Sequence, residues 1–224
     1  MLTDLALVRL LQLASPALPI GLYSYSQGME RAVEDGWIRN RGQAGEWIGG
    51  LLAQSQARID APLLIRLHRA WMDGDDAALA RWSKQLQSLR ETAELRAEDR
   101  QGGQALARLL TGIEVSRAQP WIVRPDATLA TSFSLAAANW DIPELETAIG
   151  YLWSWLENQV LCAVKLVPLG QADGQRLLTE LGEGIPELAK RALELDDEEI
   201  GGNAFGLALS SSRHEVQYSR LFRS

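Results

Sequence analysis

Apolar residues recur at helical spacing along almost the whole chain. Leu2, Leu5, Val8 and Leu11 mark one face at steps of three, and Leu63, Leu64, Leu67 and Trp71 mark another at steps of three and four. No segment alternates with the period of two that a half-buried strand shows. Punctuation agrees with the period. Asp60 stands just before Ala61-Pro62, which predicts a helix start, and Gly74 after Asp73 predicts a stop, with a new start at Asp75 or Asp76. Thr128–Trp140, rich in Ala and Ser, predicts a central helix that its neighbours approach closely. The run from Leu145 to Val167, with Tyr151, Leu152, Trp153, Trp155 and Leu156, predicts a helix apolar nearly all round. RETAELRAEDR, from Arg90 to Arg100, predicts a charged, solvated helix face with Arg90 and Glu94 one turn apart. The expected fold is all-α, a single-domain helical bundle of roughly ten helices over residues 1–224.

Three stretches depart from that pattern. Ser15–Gly28, SPALPIGLYSYSQG, carries two prolines and two glycines with exposed-looking hydroxyls, too constrained for a flexible linker. Pro120–Pro125 separates a charged N-terminal half from a more apolar C-terminal half and is read as an inter-helix turn, with a hinge as the alternative. The last residues, HEVQYSRLFRS, keep apolar and aromatic side chains where a terminus is normally polar, which predicts a docking tail over 213–224. Ordering such a tail costs about 1–2 kcal/mol per residue. Burying Val216, Tyr218, Leu221 and Phe222 returns about 1.5–3 kcal/mol each. The deficit falls to hydrogen bonds and ion pairs of Arg213, Glu215, Arg220 and Arg223. Their partners are expected on another protein; the alternative is an ordinary terminal helix folded back on the core.

Composition narrows the function. The net charge of -7 and only three lysines, Lys84, Lys165 and Lys190, argue against non-specific nucleic-acid binding. The N-terminal apolar run is interrupted by Asp4 and Arg9, and residues 148–169 carry Glu157, Asn158, Gln159 and Lys165, so neither is expected to be a signal peptide or a membrane span. The lone Cys162 in NQVLCAVKLV reads as a small buried hydrophobe in a reducing setting.

Candidate chemistry is sparse. His68, His214 and Cys162 are far apart in sequence and offer no metal-ligand spacing. Asp73-Gly74-Asp75-Asp76 has a misplaced glycine for a calcium loop and Lys84 at its twelfth position, so it reads as a helix cap. Asp196–Glu199 reads as a helix start favoured by the macrodipole. The absence of a Gly-Lys dipeptide excludes a P-loop, and no G-x-S-x-G elbow accompanies the histidines. Lys165 has two readings of equal weight: a cation at the negative end of a helix that Pro168 and Gly170 close, or a recognition point for a partner.

Three separated stretches meet one pattern. LASPALPIGLYSYSQGMERAVEDGWI (Leu13 to Ile38), AVKLVPLGQADGQRLL (Ala163 to Leu178) and RHEVQYSRLFRS (Arg213 to Ser224) resemble the bacterial urease accessory protein family UreF. RETAELRAEDRQGGQALARLL, from Arg90 to Leu110, is similar to that family's middle region. The resemblance spans almost the whole chain, and its tail motif is highly specific. It implies an all-helical, cytoplasmic, non-enzymatic chaperone that forms a homodimer and binds neither membrane nor nucleic acid. The partners it implies are UreD (also called UreH), the GTPase UreG and the urease apoprotein UreABC. The implied work is GTP-dependent nickel insertion and lysine carbamylation during metallocentre assembly, with the GTPase gated by this protein. No cofactor is implied, and nickel is handled by the complex without stable binding here.

Carried over by position, the resemblance places Tyr23, Ser24, Ser26, Gly28, Glu30 and Lys165 on the surface facing UreG. It places Arg213, His214, Gln217, Tyr218, Arg220, Leu221 and Phe222 against UreD. Leu22 departs from the pattern, which usually has glycine or another small residue there, and puts the loop's conformation in question. Two other function classes stand beside the scaffold: a catalytic GTPase activator inserting Lys165 or a tail arginine into UreG, and an independent hydrolase using His214.

Overall fold

The computed structural model describes residues 2–224. Eleven α-helices follow one another, with no strand among the described residues: α1 Asp4–Leu13, α2 Met29–Glu34, α3 Arg41–Leu51, α4 Ala61–Asp73, α5 Asp76–Ser88, α6 Ala93–Gly112, α7 Leu129–Asn139, α8 Glu144–Leu166, α9 Gln171–Gly182, α10 Ile185–Glu194 and α11 Phe205–His214. Thr3, Asn40, Asp75, Thr92 and Thr128 cap their helices, each accepting a hydrogen bond from a backbone N–H in the first turn. Asp75 therefore does what the punctuation predicted. Asp196–Glu199 closes a capping box, but on a single 3-10 turn rather than a long helix. Ser116–Ile122 is also 3-10 and sinks Ala118 and Trp121 into the core as an inter-helix connection.

Two apolar cores share α4. Leu63, Leu64, Leu67 and Trp71 face a core built with α5, α6 and α7, where Trp121 packs edge-on against Trp71 at 5.7 Å and Phe133 against Tyr151 at 5.2 Å. Ala61 and Ile65, on the other side of α4, face a second core built with α2, α3, α8, α9 and α10. A helix caught between two cores is apolar on two sides, and Arg66, Arg69 and Asp73 take the remaining outer face of α4. α8 shows the limit of its sequence reading: Tyr151, Leu152 and Leu156 are buried, whereas Trp153 lies at the surface.

Three expectations change. α4 begins at Ala61 with Pro62 in its first turn, as the punctuation predicted, but Asp60 does not cap it: α3 runs through a π-helical stretch, Leu52–Asp60, directly into α4. Asp60 is instead 1% exposed and paired with Arg90. Arg90, in turn, is no part of a solvated helix. It precedes α6 and reaches inward, placing Nη2 2.5 Å and Nη1 3.0 Å from the Asp60 carboxylate and Nε 3.0 Å from Asp99. Against the cost of burial, the two carboxylates hold its guanidinium well above its ordinary pKa. On α1, the face marked by Leu5, Val8 and Leu11 points outward, and Ala6, Leu10 and Leu13 are buried. The reason lies on α8: Gly150 leaves a notch for Leu10, where a Cβ would stand 2.5 Å from the leucine's Cδ1.

Candidate docking site

The front loop and the tail, which the family resemblance assigns to two separate partner surfaces, form one interlocked unit. Gly21, at φ +79°, takes the positive dihedral that starts the 3-10 turn Leu22–Ser24. Leu22 therefore needs no special conformation, and its Cδ2 lies 3.1 Å from where a Cβ on Gly102 would stand. Gly28, at φ +76°, lets the loop turn into α2 against α11, where a Cβ would meet Ser210 Oγ at 3.1 Å. The Ser210 hydroxyl donates to the Gly28 carbonyl.

Glu30 clamps the tail. One of its oxygens accepts the Leu221 N–H at 2.7 Å and the other the Phe222 N–H at 2.8 Å. Ser26 adds a second grip, donating its N–H at 2.9 Å and its hydroxyl at 2.6 Å to the Ser224 carbonyl. A third joins the Arg223 N–H to the Ser24 carbonyl at 2.9 Å. His214 is fully buried between carboxylates, Nδ1 2.7 Å from Glu94 and Nε2 3.4 Å from Glu30. Arg220 closes over the far side of Glu94 at 2.6 Å. The Phe222 ring enters the second core, and the Lys165 ammonium lies 5.7 Å from its centroid. The electrostatic partners that the tail needs are thus on its own body, but past His214 it is an irregular strap and not the terminal helix of the folded-back alternative, and Val216, Tyr218 and Leu221 stay exposed.

α6 supplies a part of the site that the sequence reading missed. Glu94, Glu98 and Gln101 stand at i, i+4 and i+7 and all face the interlock, a polar stripe at helical spacing that was legible as such. Gln101 accepts the Tyr25 hydroxyl at 2.8 Å. Glu98 accepts Gln27 Nε2 on one oxygen and the Ser224 hydroxyl on the other, both at 2.8 Å. Burial pushes the Glu98 carboxyl up to about 7, although both hydrogen bonds and Arg90 oppose the rise. Cys162, packed beneath the loop, donates to the Tyr25 carbonyl at 3.4 Å, and burial pushes its thiol up to about 12. It is the buried hydrophobe expected of it.

The interlock sorts the carried-over residues. Ser26, Gly28, Glu30, His214, Gln217 and Phe222 are buried and hold the unit together, so their side chains offer no outer surface in this arrangement. Tyr23, Lys165, Arg213, Tyr218, Arg220 and Leu221 face outward, with Ser24 half-buried. Arg213 is tied to Asp35 at 2.9 Å and lies over Trp37. Elsewhere, His68 is buried with Nε2 2.9 Å from the Ile142 carbonyl, and burial lowers its pKa. Among the described residues, no three His, Cys, Asp or Glu side chains converge as metal ligands, and no helix is long and apolar enough to cross a membrane.

Comparison with known proteins adds the family. A family model described as UreF matches residues 38–182. A urease accessory protein UreF of Alkalilimnicola ehrlichii is 54% identical over 220 residues, covering 98% of this chain and 96% of the relative. The protein of the same name from Azoarcus sp. strain BH72 is 52% identical over 225 residues, with the same coverage of each. That of Pseudomonas putida strain W619 is 48% identical over 224 residues, covering 99% of both chains.

Proposed function

The chain belongs to the UreF family of urease accessory proteins, and from that premise we propose that it is a non-enzymatic scaffold for urease maturation. It joins UreD (UreH) and the GTPase UreG on the urease apoprotein and gates GTP-dependent nickel delivery. The observation that carries this reading is the interlock itself. The backbone of the tail is held by the front loop through Glu30, Ser26 and Ser24. A partner seated on Tyr218 and Leu221 therefore acts on the loop that presents Tyr23 and lies beside Lys165. Gating follows if this unit binds UreG better in one nucleotide state than the other, since a partner shifts an equilibrium only by its differential affinity. The buried members of the two residue sets shape the platform, and the exposed members make the contacts.

Capture experiments with purified UreD and UreG test this division. Tyr218→Ala, at a fully exposed position, is expected to weaken UreD capture with an unchanged Tm, and Lys165→Ala to weaken UreG capture likewise. Full assembly by a chain lacking Val216–Ser224 would remove the docking reading. The activator alternative is narrower than before, because Arg213 and Arg220 are tied to Asp35 and Glu94. Lys165 and Arg223 remain as inserted cations. An unchanged or slower single-turnover GTP hydrolysis by UreG in the presence of this protein eliminates that alternative. A homodimer belongs to the same proposal. The outward face of α1, with Leu5, Leu7, Val8 and Leu11 exposed, supplies apolar surface that a second copy would cover, and light scattering measures it.

A further inference from the structure

Beside the interlock, the π-helical stretch, the start of α6 and the middle of α8 enclose a cavity of ≈ 60 Å³. That is room for about two waters, or one small molecule. Its polar wall is built from Gln56, Asp60, Arg90, Glu98, Asp99 and Tyr151. Several donors on this wall are already committed. Arg90 spends its three nitrogens on Asp60 and Asp99, the Tyr151 hydroxyl reaches Asp60 at 3.3 Å, and Gln27 Nε2 goes to Glu98. Gln56, only 4% exposed, has its Oε1 buried with no partner. Three carboxyls face one guanidinium, and although burial raises both Glu98 and Asp99 against the pull of Arg90, the wall carries net negative charge once Glu98 is ionised. A buried acceptor without a donor and a buried charge without a counter-charge each cost free energy, and one bound cation with N–H groups removes both costs. Extended π-helical backbone is rare and tends to mark functional sites, and here it carries Gln56 and Asp60.

We propose that this cavity binds a small organic cation, an alkylammonium or alkylguanidinium, with its N–H donors on Gln56 Oε1 and the Asp60 and Asp99 carboxylates and its stem against Ile59, Leu95 and Leu129. The apolar part of the wall and the lack of three converging ligands disfavour a bare metal ion. Glu98 links the site to pH. It is faced by Arg90 and Asp99, by Gln27 of the front loop, by Ser224 of the tail and, on α8, by Cys162. Because its carboxyl titrates at about 7, a cation is expected to bind up to about tenfold tighter at pH 8 than at pH 6.

The test is calorimetry and thermal unfolding of the full chain, without partners, using propylammonium and propylguanidinium, with propanol and propanoate as controls of similar length. Saturable binding of the cations is expected, with a Tm rise of about 5–10 °C at a hundredfold excess over Kd and no comparable shift from either control. Gln56→Met, which removes a side chain whose oxygen bonds nothing in the chain, is expected to keep the Tm of the free protein and weaken the cations about tenfold. An equal shift from propanol, no saturation by 20-fold higher cation than the Kd class of about 1 mM, or undiminished binding by Gln56→Met overturns the proposal. None of these outcomes depends on UreD or UreG, so failure here is separable from failure of the scaffold reading.

Discussion

Glu98→Gln is the sharpest test of the interlock's electrostatics. In the folded chain the carboxyl titrates at about 7, raised from 4.5 chiefly by burial, and in the unfolded chain it returns to the ordinary value. Between those two pH values the native state holds a proton that the unfolded state has released, so stability falls as pH rises. The contribution is fully present below about 4.5 and lost as pH passes through about 7. A difference of about 2.5 units at 1.36 kcal/mol each is about 3 kcal/mol. Glutamine has the shape of the protonated acid and does not titrate, and the Ser224 hydroxyl can turn to accept from its amide. Asp35 and Asp126, whose pKa values are lowered first by hydrogen bonds from Arg31 and Arg124, titrate below this window and are common to both proteins. Urea unfolding at pH 5, 6, 7 and 8, followed by circular dichroism and tryptophan fluorescence, measures the difference. The wild type is expected to lose about 2.5 kcal/mol relative to Glu98→Gln across the series, since part of the total is already gone at pH 5. Parallel profiles with a constant offset would refute the reasoning.

Other outcomes follow from the same geometry. Glu30→Ala removes the acceptor of two tail N–H groups and one neighbour of His214, which should ease tail opening about a hundredfold; faster tryptic cleavage after Arg220, with the body intact, checks it. Arg90→Met strands Asp60 and Asp99 and should cost about 3–5 kcal/mol, whereas the triple variant that also carries Asp60→Asn and Asp99→Asn should recover most of that loss in urea unfolding. Gly103→Ala drives a Cβ to 2.4 Å from the Thr128 backbone and should destabilise by about 2 kcal/mol or more. Gly50→Ala, in open space on α3, should stabilise by about 0.5–1 kcal/mol in the same assay.

Much of the fold was legible in residue order, because helix periodicity and capping are local. The spacing in α4, the Gly74 stop with its Asp75 restart, the α7 and α8 segments and the all-α class all follow from interactions within a few residues. The charged segment from Arg90 misled because spacing gives a residue's neighbours on its own helix and says nothing of what lies across from it. Arg90 meets Asp60, thirty residues earlier, and Glu94 meets His214 and Arg220. Asp60 marked the start of α4 correctly but not its own role, since a cap is lost when the chain before it continues as a π-helix and its carboxylate finds a buried cation.

By itself the sequence determined the helical class, most of the helix ends and the family motifs, since these are written in short-range pattern. Only the tertiary structure decided that the tail and the front loop are one unit, that Ser26, Glu30, His214 and Phe222 lie inside it, and that the face of α1 marked by Leu5, Val8 and Leu11 points outward. Those outcomes depend on which distant groups meet, on Glu30 finding two amides near the far end of the chain and on a notch at Gly150 accepting Leu10. Such meetings are set by close packing over the whole molecule, and hydrophobic periodicity does not encode them.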